Sequence, residues 1–197
     1  HAEFRFERIR PADRTTGPLT VGFVGTLKPW HGTGILLAAV AQARHPWLLE
    51  FCGTGPEQQA LEEQAAQLGI HERVRFHGAV APSAVPDILA GWDVACAPYP
   101  EAEGHYFSPL KVYEYMAAGL PVIASRVGEL SELLDARGIL LEPGSVEQLT
   151  AALDQLASDP ALRADLGRAA RAHVEEHHTW NQRCGELLAQ LPVRVGS

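Results

Sequence analysis

The segment 108-SPLKVYEYMAAGLPVIAS-125 contains a short helix that stops and runs straight into an apolar strand. Ser108 can cap and Pro109 suits the first helical position, so the free N–H groups of Leu110 and Lys111 point out of the helix start. Gly119 can end the helix, and Pro121 opens the strand 121-PVIAS-125. The same alternation extends in both directions. Apolar runs at 19-LTVGFVG-25, 47-WLLEFCG-53, 73-RVRFHG-78, 92-WDVACAPY-99 and 138-GILLEP-143 read as further buried strands, with helical segments between most of them. Strands apolar on both faces that alternate with helices predict a parallel sheet covered on two sides. The expected fold is therefore α/β and doubly wound, with about six strands and helices on both faces.

Other helix ends are equally readable. Ser145 and Gln148 have the spacing of a capping box, and Val146, Leu149, Leu153 and Leu156 form one apolar face of the helix that follows. Asp159 caps and Pro160 opens the next helix, over 160–176, and a last helix is expected over 179–190 with no strand after it. Residues 1–18, ending TTGP, show no apolar period and read as a linker into a domain spanning 19–197.

The 197-residue chain is 46% hydrophobic, enough for one domain with a full core and short for two. Its formal charge of −8 argues against a nucleic-acid partner, which needs a basic excess or stripe. Cys52, Cys96 and Cys184 are far apart and lack any CxxC spacing, so neither a disulfide framework nor a thiolate zinc site is expected. No apolar run approaches the roughly 20 residues of a membrane span, and the expected location is cytoplasmic. The sole methionine is Met116, so residue 1 is no initiator and the chain reads as processed or as part of something longer.

The stretch 173-HVEEH-177 matches H-x-x-E-H, in which two helical histidines bind zinc beside a glutamate base. A catalytic zinc needs a third protein ligand, and Glu186 is the sole carboxylate after His177, so a polar helix face explains the match as well. The phosphate-loop, G-x-S-x-G and full G-x-G-x-x-G patterns are absent, and Gly53-Thr54-Gly55 lacks the third glycine. No Asp-x-Asp pair is present to hold a magnesium diphosphate. No metal and no cofactor are therefore expected, and any phosphate must be met by side chains, N–H groups and a helix dipole.

Lys111 lies in a first helical turn, where a cation is unfavourable to the dipole unless an anion is present. The bland alternative is a lysine whose stem covers apolar surface while its head stays in water. Glu114 can accept two hydrogen bonds from the hydroxyls of a ribose, or it can pair with Lys111 three residues before it. The first strand ends in the glycine-rich loop 25-GTLKPWHGTG-34, which holds Gly25, Thr26, Lys28 and His31 before a helix starting near Thr33. In a doubly wound sheet the loops after strands one and four flank the topological switch point. Two cationic loops and a helix N-terminus converge there, which suits a diphosphate.

In this order of segments, with 53-GTGPE-57, 74-VRFHG-78 and 93-DVACAPY-99 between the two loops, residues 19 to 190 resemble the retaining glycosyltransferases of the two-Rossmann-domain (GT-B) type, called group 1 or family 4. The resemblance implies the C-terminal half of such an enzyme, which binds the nucleotide-sugar donor without a metal. It also implies an N-terminal acceptor-binding domain as partner. By position, Glu114 resembles the second glutamate of the family's E-x7-E motif, which binds the ribose, and Leu110 and Lys111 resemble its backbone donors to the diphosphate. The first glutamate of that motif falls at Tyr106, leaving Glu101, Glu103 or His105 as substitutes toward the donor sugar. The family's loop arginine and lysine fall at Thr26 and His31, so Lys28 and a charged His31 share the phosphate role. Arg75 to Gly78, including His77, resemble the base-binding stretch, and Gly53 to Glu57, including Gly55, resemble pocket wall.

The resemblance makes leaving-group stabilisation and front-face attack the expected chemistry, with no nucleophile in this half and no sugar transfer by this half alone. Two other classes use similar architecture. A nucleotide-sugar epimerase half would require acid and base residues in the cleft, and a receiver-like or purely interacting α/β module would bind no nucleotide. Receiver domains place clustered acids after strand one, and this chain does not.

Overall fold

Leu19–Val24 forms β1 because Leu19, Val21 and Phe23 alternate onto one buried face while Thr20, Gly22 and Val24 take the other. In this computed structural model, which describes residues 17–100 and 110–177, the chain continues through α1 (Thr33–Gln42), β2 (Trp47–Cys52), α2 (Gln58–Gln67), β3 (Val74–Gly78) and α3 (Val85–Leu89). It then runs through β4 (Val94–Ala97), α4 (Leu110–Ala117), β5 (Val122–Ser125), α5 (Leu130–Leu133), β6 (Ile139–Leu141), α6 (Val146–Ser158) and α7 (Pro160–His177). Residues 1–16 of the expected linker, Glu101, Glu103, His105, Tyr106, Ser108, Pro109, Cys184, Glu186 and the helix expected over 179–190 lie outside the described residues.

All neighbouring strands pair in parallel, in the order β3-β2-β1-β4-β5-β6. The chain winds outward from β1 to β3, returns to β4 beside β1, and winds outward again to β6. The loops leaving β1 and β4 therefore part at the sheet's carboxyl edge and open a crevice between them. Each face has its own core. Val21, Phe23, Leu49, Phe51, Val94 and Ile123 pack with buried residues of α1, α2 and α6, and Ala95, Ala97, Val122 and Ala124 pack with buried residues of α3, α4, α5 and α7. Each large side chain buried in this way contributes about 1.5–3 kcal/mol, which fixes the sheet on which the loops stand.

The end of α4 is a Schellman stop. Gly119 has φ +71°, its N–H donates to the Met116 carbonyl, and the Leu120 N–H donates to the Tyr115 carbonyl. Asp159 caps α7 as expected, accepting the Leu162 N–H at 2.9 Å. The capping box of α6 forms only by half. Ser145 Oγ accepts the Gln148 N–H, but the Gln148 side chain turns to the N–H of Glu142 at 2.8 Å, because the turn at Gly144 brings the end of the β6 segment over the helix start.

Candidate functional site

Helical spacing places Val112, Tyr115 and Met116 of α4 in the core and leaves Lys111 and Glu114 on its flank, with Leu110 outermost at 67% exposed. Tyr115 does more than pack. Its hydroxyl accepts the N–H of Val24 at 2.7 Å and so fastens α4 to the last residue of β1. This contact sets where the two flanking charges stand.

Lys111 reaches from α4 under the loop that follows β1. Its Nζ is buried, lies 4.1 Å from the centre of the Phe23 ring and 5.7 Å from that of Tyr99, and has no hydrogen-bond acceptor among the described residues. A Cβ built on Gly25 would stand 2.9 Å from it. The stem is partly exposed and the head buried, the reverse of a lysine that extends its charge into water. Burial pulls its pKa down to about 7, opposed by the charge of Glu114. The alternative of a Lys111–Glu114 ion pair is not realised, since among the described residues no ion pair or hydrogen bond holds the Glu114 carboxylate. That carboxylate is half-buried, and desolvation raises its pKa against the opposing charge of Lys111.

His31 faces the same space. Its Nδ1 lies 2.5 Å from the Thr26 carbonyl, which can only accept, so Nδ1 carries hydrogen and Nε2 is the free ring nitrogen. The ring packs near Phe23, Tyr99 and Trp30. Burial, then the charges of Lys111 and Lys28, outweigh the Thr26 hydrogen bond and lower its pKa below the ordinary 6.5. A charged His31 is thus disfavoured until an anion arrives. Lys28 lies on the solvent side, with its ammonium 5.1 Å from the Trp30 ring centre, and Thr26 is exposed.

The two glycine loops interlock beneath these groups. Gly25 N–H donates to Cys52, Leu27 N–H to Thr54, and Glu57 N–H to Leu27, all through backbone carbonyls. Gly53, at φ +141°, lies so close to Gly25 that a Cβ there would meet the Gly25 carbonyl at 2.1 Å, and one on Gly55 would meet the backbone of Leu27. Gly53 and Gly55 therefore serve as the surface on which the first loop rests. Gly32, at φ +66°, caps α1 against Pro98, closing the crevice from the β4 side.

The structure brings Gly25, Lys111, His31 and Glu114 together, and it commits Arg75 and His77 to Glu50. His77 Nε2 bonds Glu50 at 2.8 Å, Trp92 Nε1–H bonds the same carboxylate at 2.9 Å, and Arg75 approaches it at 4.0 Å. Glu50, Tyr115, Phe23 and Tyr99 were not legible as site residues. The single available signal was that tyrosines flank Glu114, of which Tyr115 is fully buried and Tyr113 partly so. Of the H-x-x-E-H residues, the His173 and His177 rings lie 4.9 Å apart, and among the described residues no group of three His, Cys, Asp or Glu is placed to hold a metal. A separate surface cavity of about 680 Å³, lined by Glu129, Glu132, Arg137 and His173 among others, shares no residue with the crevice.

Residues 18–159 match the family model described as glycosyl transferases group 1. The chain is 33% identical to a D-inositol 3-phosphate glycosyltransferase of Rhodococcus opacus, over 92% of this chain and 44% of that protein. It is 29% identical to a GDP-mannose-dependent monoacylated alpha-(1-6)-phosphatidylinositol monomannoside mannosyltransferase of Corynebacterium glutamicum, over 95% of this chain and 52% of that one. In structure it is similar to Anabaena Alr3699/HepE in complex with UDP-glucose, with a TM-score of 0.78 and 28% identity over 88% of this chain and 49% of that one. It is also similar to the C-terminal domain of a group 1 family glycosyl transferase (LpcC) of Francisella tularensis, with a TM-score of 0.72 and 25% identity over 82% and 87%. The chain spans about half the length of the curated relatives it matches.

Proposed function

The chain belongs to the group 1 glycosyltransferases, and from that premise we propose that it is the donor-binding half of a retaining enzyme that transfers a sugar from a nucleotide-diphosphate sugar without a metal. One observation carries the reading: the Lys111 ammonium is buried beneath the crevice with no acceptor among the described residues. A buried polar group without a partner is costly, and an anion at the crevice removes that cost. The similarity to a structure solved with UDP-glucose supports a diphosphate as that anion.

In this reading the donor diphosphate lies over the interlocked loops, between Lys111, the Nε2 side of His31 and the first N–H groups of α4 at Leu110 and Lys111. Glu114, whose carboxylate makes no hydrogen bond or ion pair among the described residues, accepts the two ribose hydroxyls. The base extends toward the Arg75–Gly78 end of β3. As the glycosidic bond to the phosphate breaks, negative charge grows on the leaving diphosphate, and cations already in place stabilise it more than they stabilise the donor. Lys28 and His31 add to Lys111 in the role that a divalent cation plays elsewhere, which supports metal independence. The acceptor is brought by an N-terminal half and attacks from the face the diphosphate leaves, so the anomeric configuration is retained. No helix among the described residues is long and apolar enough to cross a membrane. Cys52 and Cys96 are buried free thiols, which fits action in the reducing cytoplasm.

Thermal melting of the domain with UDP, GDP, ADP and dTDP tests this reading. A ligand bound only by the native state at 100 times its Kd stabilises by about 2.7 kcal/mol. One nucleotide should raise Tm, equally with EDTA present. No rise with any of the four would refute the donor site, and loss of the rise in EDTA would refute metal independence.

A further inference from the structure

Lys111 has a consequence beyond attraction, and it rests on the reading of this crevice as a nucleoside diphosphate site. We infer that donor binding is coupled to proton uptake at Lys111: on the alkaline side of neutrality the empty site holds a neutral amine, and the arriving diphosphate brings a proton from solution onto its lone pair.

The geometry leaves the empty site little choice. A charged ammonium needs acceptors or counter-charge when water is removed; among the described residues no acceptor reaches Nζ, and the charge of Glu114, which forms no ion pair with it, only partly opposes the cost of burial. From β1 and its loop it meets the Phe23 ring and the backbone at Gly25. His31, on the same loop, carries hydrogen at Nδ1, and with Lys28 further out it could add only positive charge. After β4, Tyr99 presents a ring whose hydroxyl is pushed up to about 12, so it stays neutral. From β2, the buried Cys52 thiol is raised by burial and by the carboxylates of Glu114 and Glu50, and it too stays neutral. On α4, the Tyr115 hydroxyl is committed to Val24, and the Glu114 carboxylate makes no ion pair with Lys111. The lowered affinity of Lys111 for its proton follows from this setting.

A diphosphate over the loops changes each of these terms. Its oxygens are acceptors and its charge favours the ammonium, so the Lys111 pKa returns toward its ordinary value and a proton is drawn from the buffer. The same proton leaves when the nucleoside diphosphate is released. Affinity is then highest where free Lys111 is already charged, and it declines as pH rises above about 7, by up to about tenfold per unit. Product release is faster, and donor capture weaker, on the alkaline side.

Calorimetry of UDP binding at pH 8, repeated in buffers of different ionisation enthalpy, counts the proton directly. If GDP, ADP or dTDP gives the larger thermal shift, that nucleotide replaces UDP. At pH 8 the ligand phosphates are ionised and free His31 is neutral. Wild type should take up about 0.9 proton per nucleotide, given a free pKa of about 7. His31→Ala should keep most of this uptake. Lys111→Arg should bind with none, and its Kd should stay flat from pH 7 to 9. If the longer Arg disturbs the fold, Lys111→Met gives the same answer, with weaker binding, no uptake and a flat profile. Wild-type binding without uptake, or uptake that persists in Lys111→Arg or Lys111→Met, overturns the coupling while leaving the donor site intact. Uptake lost only in His31→Ala assigns the proton to the histidine and overturns it as well. Failure of all four nucleotides to bind overturns the donor-site reading and the coupling with it.

Discussion

The hydroxyl of Tyr115 and the N–H of Val24 meet at 2.7 Å, so the last residue of the first strand is held by the helix that carries Lys111 and Glu114. Replacing Tyr115 by Phe keeps the ring and strands the amide. An unsatisfied buried donor costs about 1–3 kcal/mol, or roughly 2–4 °C of Tm per kcal/mol in a domain this size. Melting curves of Tyr115→Phe should show that fall, and calorimetry should show weaker nucleotide binding because both flanking charges shift with α4. An unchanged Tm would mean the bond is not formed in solution.

Glu114→Gln should weaken a ribonucleoside diphosphate by about 10- to 150-fold, the worth of about 1.5–3 kcal/mol for hydrogen bonds to a charged group. The 2′-deoxy counterpart, with one hydroxyl fewer to hold, should lose much less. Paired titrations of the two ligands check this, and equal losses would remove the ribose from Glu114's role.

Lys111→Met should raise the Tm of the empty domain while it weakens nucleotide binding, a gain of stability at the expense of function. The sign follows from protons. Lys111 has a folded pKa of about 7 against an ordinary 10.5, so between those values the unfolded chain binds the extra proton, and stability from this group rises with pH. Melts at pH 7 and 9.5 should show wild type approaching the variant at the higher pH. A variant less stable than wild type at both would contradict the picture of a destabilising buried amine.

His31 gives a second pH signature on the acid side. Its free pKa lies below 6.5, mainly through burial, and a neighbouring dianion raises it, so affinity is greatest below the free value and falls as pH rises through the free and then the bound value. In the empty domain the same depression means that stability from this group is lost as pH falls below 6.5. Titrations between pH 5 and 6.5, on the acid side of the Lys111 titration and corrected for the ligand's own phosphate ionisation, should show a slope that His31→Ala flattens and His31→Lys replaces with constant affinity. Coincident wild-type and His31→Ala profiles would exclude the histidine from the site.

The order of strands and helices was readable because the central strands β1, β4 and β5 are apolar on both faces and three helix ends carry a local stop or cap: Gly119, Asp159 and Ser145 act within a few residues of where they stand. The crevice was readable for the same reason, since a parallel sheet that reverses its winding places the loops after Val24 and Ala97 side by side. Side-chain partners far apart in sequence were not. His77 and Glu50 are 27 residues apart, and Val24 and Tyr115 are 91 apart, so no local pattern pairs them. Lys111 shows the limit most clearly. Spacing offered Glu114 as its partner, whereas the structure sends its head to the ring of Phe23, which only tertiary packing could decide.

Leu27 is gripped on both sides by the second loop, giving its N–H to Thr54 and taking that of Glu57 on its carbonyl. This bears on how such a chain can lengthen or shorten over generations. An insertion between Gly25 and Leu27, or between Gly53 and Glu57, slips one loop against the other and breaks bonds in both, so length changes are pushed outward to the turn at Lys28–Trp30 or past Val80. For anyone recombining relatives, residues 25 to 57 form one cassette. A graft that carries both loops keeps the floor of the crevice, and a graft of either alone discards it.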